Sequence, residues 1–412
     1  MLLASNVMTR LRASFVGMKI KYLPLVVAAL GALLPVVNPA FAQTWTQTSA
    51  PSNLWTAVAS SADGRTLVVT AGDFGGDGQI YSSTNSGDTW IPTSAPATNW
   101  QAVTSSADGT KLAASGSGGV FTSTDSGATW ELRTNINFQS LASSADGTML
   151  VGSATFNVYT STNSGITWGL SSGIGSCVAS SADGTRLVTA YYAYPGFLLG
   201  GIFTSTNAGL DWKQTSAPLD LSTGWNALAS SADGTRLAAT IGATSWPTGP
   251  GPIYTSRNAG GTWFATGSPI SHWSSIACSA DGIKLVAAGV GGVHTSTASG
   301  ATWTWITNIA ATPRASVASS ADGGNLVAAV NGGGIYTRQF TPEPVLNITS
   351  ASNNLVLSWI VPSMDFVLQQ NSDLTTTNWA DLTNKPTLNL TNLQYQVSVS
   401  LTNGRSFYRL RH

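Results

Sequence analysis

Carboxylates are few in this chain, so those able to do chemistry can be taken one at a time. Asp73 and Asp77 share the stretch Gly72-Asp73-Phe74-Gly75-Gly76-Asp77-Gly78. A close carboxylate pair can work as acid and base on a glycosidic bond, or supply two of the six to eight oxygens of a Ca2+ site. Two oxygens fall short of a calcium set, and the glycines read as a solvated turn. Asp220, in the long segment 213–224, completes the clear acidic candidates. Glu131 is the single glutamate between residues 43 and 341. His272, His294 and His412 are scattered and give no zinc pattern. Neither a Ser-His-Asp set nor a phosphate-binding loop is found, so no metal and no cofactor are expected. The main aromatic cluster is Tyr191, Tyr192, Tyr194 and Phe197, with Trp246 in the matching segment 242–252. Such rings can stack on a sugar or grip a protein partner, or pack on one another.

The elements that position these residues are repeats. An octet recurs at 83–90 (STNSGDTW), 123–130 (STDSGATW), 161–168 (STNSGITW), 205–212 (STNAGLDW), 256–263 (SRNAGGTW) and 296–303 (STASGATW). A second motif, SADG, recurs with Asp63, Asp108, Asp146, Asp183, Asp233, Asp281 and Asp322, at spacings of 45, 38, 37, 50, 48 and 41. Seven units of this length, each with four strand-like runs, predict an all-β fold: a seven-bladed β-propeller. In the first unit strand A covers 55–60, strand B 66–71 and strand C 79–83, and strand D begins at Thr89-Trp90. Asp-Gly suits the A–B turn, which demands positive φ. In a four-stranded meander the A–B and C–D turns share one face. Both motifs therefore lie on one face, and the long irregular loops lie on the other. Trp55, Trp100, Phe138, Trp225 and Trp273, where strand A begins, are expected to pack between blades.

The octet reads as a turn clasp. Asn85 accepts backbone N–H groups, Gly87 permits a left-handed turn and Trp90 covers it. The same structural roles fall to Asp125, Gly127 and Trp130; Asn163, Gly165 and Trp168; Asn207, Gly209 and Trp212; Asn258, Gly260 and Trp263; and Gly300 and Trp303. The third position changes from Asn to Asp to Ala298, which a hydrogen-bond acceptor tolerates and a catalytic carboxylate does not. These octets resemble the Asp-box (BNR) repeat of sialidases and other glycoside hydrolases. That resemblance implies an arginine triad, a tyrosine with a glutamate partner and an aspartate acid. Here Arg65, Arg186 and Arg236 follow SADG on the motif face, with Lys111 and Lys284, and Arg314 is the clearest cation on the opposite face. Xyloglucanase-type hydrolases pair two propellers, whereas one is present. The single seven-bladed propeller also resembles photosystem II assembly/stability factors. That likeness implies a non-enzymatic binding protein with an arginine-rich surface, which this chain does not clearly show.

The ends complete the organisation. Unit seven has strands A to C but no octet, and 43–51 (QTWTQTSAP) resembles 88–96 (DTWIPTSAP), so Trp45 is expected to bring the fourth strand of blade seven. Residues 345–412 lose the repeat and alternate as six strands of a small fibronectin-like β-sandwich, with Trp359 and Trp379 in its core. The domains are thus a signal peptide at 1–42, the propeller at 43–341 and the sandwich at 345–412. Arg10, Arg12, Lys19 and Lys21 precede an apolar run and the Ala40-Phe41-Ala42 cleavage signal, which predicts secretion to the periplasm or cell surface. Cleavage after Ala42 removes the one apolar run able to anchor in a membrane. It leaves 14 basic against 18 acidic side chains, a balance that argues against a nucleic-acid partner. Cys177 and Cys278 stand at different places in their repeats and are expected to be free buried thiols. The expected function is that of an exported, monomeric binding or scaffolding protein for a protein or glycan partner. The alternative is a glycoside hydrolase using Asp73, Asp77 and Asp220.

Overall fold

Strand B of each blade is a run of small and β-branched residues, such as Leu67–Ala71 (LVVTA) and Leu237–Ile241 (LAATI), and is buried on both faces. An antiparallel strand buried on both faces needs a sheet stacked on each side. In the computed structural model this is met by seven sheets arranged as the blades of a propeller, all-β throughout. The structure describes residues 45–72, 78–191, 200–218, 224–242, 249–309, 314–338, 346–351, 354–360, 367–390, 392–400 and 406–411. Among them no helix is long and apolar enough to cross a membrane. The first-unit expectation holds closely: strand A is Asn53–Ser60, B Leu67–Ala71, C Ile80–Ser83 and D Ile91–Pro92. Five further four-stranded sheets span 100–134, 140–174, 177–214, 225–265 and 273–306.

Blade seven is built from both ends of the propeller. Its strands A to C are Ala315–Ser319, Leu326–Gly333 and Ile335–Arg338. The fourth is Thr46–Gln47, which pairs antiparallel with strand C in the register Thr46↔Thr337 and Gln47↔Tyr336. Trp45 is buried against Val286, Ile306, Val317 and Val330, in the interface between blades six and seven. The octet tryptophans repeat this placement: each packs between its own blade and the preceding one, Trp90 between seven and one, Trp130 between one and two. A further join exceeds the expectation. Strand A of blade one extends past Trp55 and pairs with strand B of blade seven (Asn53↔Gly333, Leu54↔Asn331), so the two blades form one eight-stranded sheet.

The inner edge is closed by a different device. The alanine of each SADG turn donates its N–H to the carbonyl of the next alanine. The chain of bonds runs from Ala62 through Ala107, Ala145, Ala182, Ala232, Ala280 and Ala321 and returns to Ala62, every bond 2.7–2.8 Å long. Within each turn the first serine hydroxyl donates to the aspartate, as Ser61 Oγ does to Asp63 Oδ1 at 2.5 Å, and accepts the N–H five residues on, Thr66 N at 2.9 Å. The motif glycine holds φ between 65° and 74°, and the neighbouring blade crosses directly over it. A Cβ at Gly147 would lie 2.9 Å from Lys111 Cβ, so both conformation and space require glycine.

Beyond the propeller, Asn347–Ala351, Asn354–Ile360, Gln394–Ser400 and Thr387–Asn389 form one sheet, and Ala380–Asp381, Val367–Asn371 and Phe407–Arg411 the other. Leu357, Trp359, Leu368, Val397 and Val399 fill the space between them. Trp379 differs from the expectation. It is half-buried, with the Arg409 guanidinium 4.2 Å from its ring centroid, because its polar neighbours Asn378 and Asp381 keep that segment at the surface. Deleting residues 43–50 strips blade seven of its outer strand and empties the Trp45 site. Loss of a buried tryptophan alone costs about 3–5 kcal/mol. The deletion is expected to lower the calorimetric melting temperature well below that of the protein beginning at Gln43, and an unchanged value would contradict the closure.

Candidate binding face and central channel

The octets are engaged within the fold. Ser83 Oγ donates to Asn85 Oδ1 at 2.9 Å and accepts Gly87 N at 2.9 Å, while Thr89 N donates to Asn85 Oδ1 at 3.0 Å. The acceptor therefore reaches the N–H four residues on. The left-handed stretch is two residues long: Ser86 at φ 59° precedes Gly87 at φ 92°, and all six octets repeat this. Ser86 N donates to Arg65 O, which ties the octet to the A–B turn of its own blade and puts both motifs on one face. Blade six keeps the turn with Ala298 at the acceptor position, through Ser299 N to Ile283 O and Gly300 N to Ser296 Oγ. In blade two the acceptor is Asp125. Hydrogen bonds from Thr129 and Ser123 hold its carboxyl down at about 2. The SADG carboxyls Asp108, Asp146, Asp183 and Asp233 are pushed up by burial, but their serine and backbone partners outweigh this and leave them lowered.

The motif face is closed at its centre. The seven SADG alanines surround Leu393, which sits with Leu388 and Tyr395 on the C-terminal sandwich. Leu393 holds φ at 53°, an uncommon conformation for a leucine, which costs of order 1 kcal/mol and requires compensating contacts. Tyr395 packs in the cluster that holds Ala62 of blade one, and burial, with the Asp63 charge beside it, pushes its phenol above the usual value. Above Leu393 a compartment of about 160 Å3 is lined by the serines that precede the alanines, and by Cys278. Six of these serines, Ser60 among them, donate to the carbonyl of the following residue at 2.8–3.0 Å.

The other end of the channel is wider. A cavity of about 530 Å3 is lined by strand A of all seven blades, with Gln101, Gln139, Asn226, Ser140, Ser275, Ser316, Cys177 and Arg314 among its walls. The aromatics at the start of strand A are absent from that wall. Trp55, Trp100, Phe138, Trp225 and Trp273 are at most 1 % exposed and pack between blades, as the sequence indicates. Cys177 and Cys278 are both free, and burial pushes the Cys177 thiol up to about 12.

The sequence-derived candidates fall as follows. Tyr191 ends strand B of blade four, is buried, and stacks on Phe203 with ring centroids 5.8 Å apart. Tyr192, Tyr194, Phe197, Trp246, Asp73, Asp77 and Asp220 lie outside the described residues. Glu131 is ion-paired with Arg133 at 2.8 Å on the outer strand of blade two. Among the described residues no group of three or more His, Cys, Asp or Glu side chains is placed to hold a metal. Sequence reasoning missed the channel-lining amides and the Leu393 stopper. The amides are marked only by register, one residue after the buried aromatics Trp100, Phe138 and Trp225.

Three outcomes follow from this geometry. Asn163→Asp is expected to leave stability unchanged within error, while Asn163→Ala lowers it by about 1 kcal/mol in denaturant unfolding. Because folding depresses the Asp125 carboxyl, its clasp is complete above the ordinary carboxylate range near 4 and is lost as pH falls through about 2, which an NMR titration of that carboxyl reads directly. Leu393→Asp would bury a charge among alanines. It is expected to split one calorimetric transition into two as the sandwich leaves the ring, and a single unshifted transition would contradict the stopper.

No family model matches this sequence, and no curated protein does. Solved structures match in fold. An ancestral GH74 enzyme superposes with a TM-score of 0.55 at 14 % identity over 77 % of this chain, which spans about half of that one, 54 %. YCF48 from Cyanidioschyzon merolae gives 0.53 at 14 % identity, covering 72 % of this chain and 98 % of its own. YCF48 bound to D1 peptide gives 0.51 at 13 % identity, covering 73 % and 97 %. At such identities the likeness is one of fold: this chain is a β-propeller of the kind shared by a hydrolase and by YCF48.

Proposed function

We propose that this protein is an exported, non-enzymatic propeller that works as a monomeric binding or scaffolding protein and engages a protein or glycan partner on the face opposite the octets. The leader, 1–42, directs export and is cleaved after Ala42, placing the protein in the periplasm, at the cell surface or outside the cell. The carrying observation is the asymmetry of the channel. Its motif-face end is stopped by Leu393 of the sandwich, while the opposite end presents a polar cavity of about 530 Å3. The turn motifs support the same reading, since their side chains are committed to hydrogen bonds inside the blades. YCF48 bound to D1 peptide illustrates a propeller of this fold taking a peptide. Tyr192, Tyr194 and Trp246 are the aromatic anchors of this proposal, with Tyr191 and Phe197 next to the two tyrosines in the sequence.

The competing reading is a glycoside hydrolase that uses Asp73, Asp77 and Asp220, to which the fold likeness to a GH74 enzyme lends its support. Affinity capture from the source cell extract, run beside a panel of chromogenic glycosides and polysaccharides, separates the two. The expected result is a captured partner whose retention drops when Tyr192→Ala, Tyr194→Ala and Trp246→Ala are combined, with no turnover of the panel. Turnover abolished by Asp73→Asn would replace this proposal with the hydrolase.

A further inference from the structure

We infer that the open end of the channel is itself a ligand site, and that its chemistry fits an uncharged, hydroxyl-rich molecule: a short neutral saccharide. This rests on the reading that the face opposite the octets is the binding face, and adds the class of molecule its centre accepts.

The walls decide the class. Ser140, Ser275 and Ser316 occupy equivalent positions on strand A of blades three, six and seven. Each hydroxyl oxygen accepts a backbone N–H from the next blade: Val178 N at 3.2 Å, Val317 N at 3.1 Å and Val58 N at 3.1 Å. These bonds fix the three oxygens and leave their hydroxyl protons with no acceptor among the described residues. Asn226 donates its amide to Trp273 O at 2.8 Å, so its side-chain carbonyl is left as an acceptor. Gln101 and Gln139, on adjacent blades, make no side-chain hydrogen bond among the described residues, and each offers two donors and one acceptor. The wall therefore carries fixed hydroxyl donors on blades three, six and seven, and amides that donate and accept on blades two, three and five.

Other ligand classes fit less well. Among the described residues no carboxylate lines the cavity, which disfavours a cation. Arg314 is the one charged side chain among the lining residues, too little for a polyanion. An apolar ligand would strip water from three hydroxyls and three amides without replacing those bonds. A saccharide carries donors and acceptors on every ring carbon that bears a hydroxyl, and can satisfy both kinds of wall group at once. The cavity volume also lies in the range of small-molecule sites.

The test uses the protein from Gln43 to His412, with ligand-observed NMR and calorimetric titration. The probes are cellobiose, maltose, xylobiose and diacetylchitobiose, with a glucuronate-containing disaccharide as the charged comparison. The expected result is saturable binding of at least one neutral probe in preference to the charged one. Affinity should fall by roughly tenfold in Gln101→Ala/Gln139→Ala, whose side chains hold nothing else together, and fall at least as far in Gln139→Trp, which replaces the amide with a ring that intrudes on the cavity. Melting curves of both variants should match the parent. Absence of saturable binding for every neutral probe, tighter binding of the charged probe, or binding that survives both variants overturns the inference. A captured protein partner indifferent to both variants, with no saccharide binding, would remove this site while leaving the open-face proposal standing.

Discussion

Seven backbone hydrogen bonds, each from the N–H of one alanine to the carbonyl of the next, run head to tail around the axis and meet their own beginning. Everything else in the propeller is arranged around that loop. A bond between two backbones is formed only if both turns present the same residue at the same height, so each blade must begin strand B after the same four-residue turn. The serine and aspartate of SADG fix that turn, and its glycine lets the neighbouring blade pass over it. Small side chains at the alanine position keep the backbones within bonding reach. The octet then fastens the outer half of each blade to the same turn through a single bond, Ser86 N to Arg65 O in blade one. Local turn chemistry is thereby converted into a ring with no free edge at its centre.

Once the motifs are committed in this way, variation is free to accumulate elsewhere. The two ends of the channel show the result. One end is uniform, because seven copies of one turn build it, and a uniform ring of methyl groups suits a single apolar stopper. The other end is built from non-equivalent residues, among them Gln101, Gln139 and Asn226, one register step from the buried aromatics, and Arg314 of blade seven. Differences between blades are what allow a site to recognise an asymmetric molecule. A repeat protein reads most clearly where it does least chemistry, and least clearly where its copies diverge.

Much of this was legible in the sequence, for a physical reason. Turns and strand periodicity are set by neighbours a few residues apart, so the seven units, strand boundaries within about two residues, the shared face of the motifs and the partnership of Trp45 with blade seven could all be read from spacing and residue type. What escaped depends on contacts distant in sequence. Nothing in Ser-Ala-Asp-Gly says that its alanine bonds to another alanine some 40 residues away. The left-handed Ser86 was hidden because serine has no special preference for that conformation, whereas Gly87 announces it. Leu393 reads as an ordinary residue of a turn, and its role emerges only when the ring it fills has been closed. Hydrophobicity alone assigns Trp379 to a core, whereas its polar neighbours and Arg409 keep it half-buried.

The doubled seam between blades one and seven has a mechanical meaning. Thr46 pairs with Thr337, and Trp45 and Arg338 follow these on the same side of the ladder. Tension between the segment ahead of Trp45 and the sandwich beyond Arg338 would peel these two strands apart one pair at a time, the direction in which a β-ladder yields most readily. The inner pairing of Asn53 with Gly333 and Leu54 with Asn331 lies further along the chain and does not share that load until the outer pair has opened. A pull on the termini thus meets the outer pairing, with Trp45 beside it, before the inner one. The propeller can give at its outer strand while its alanine ring, and the channel that ring encloses, stay whole.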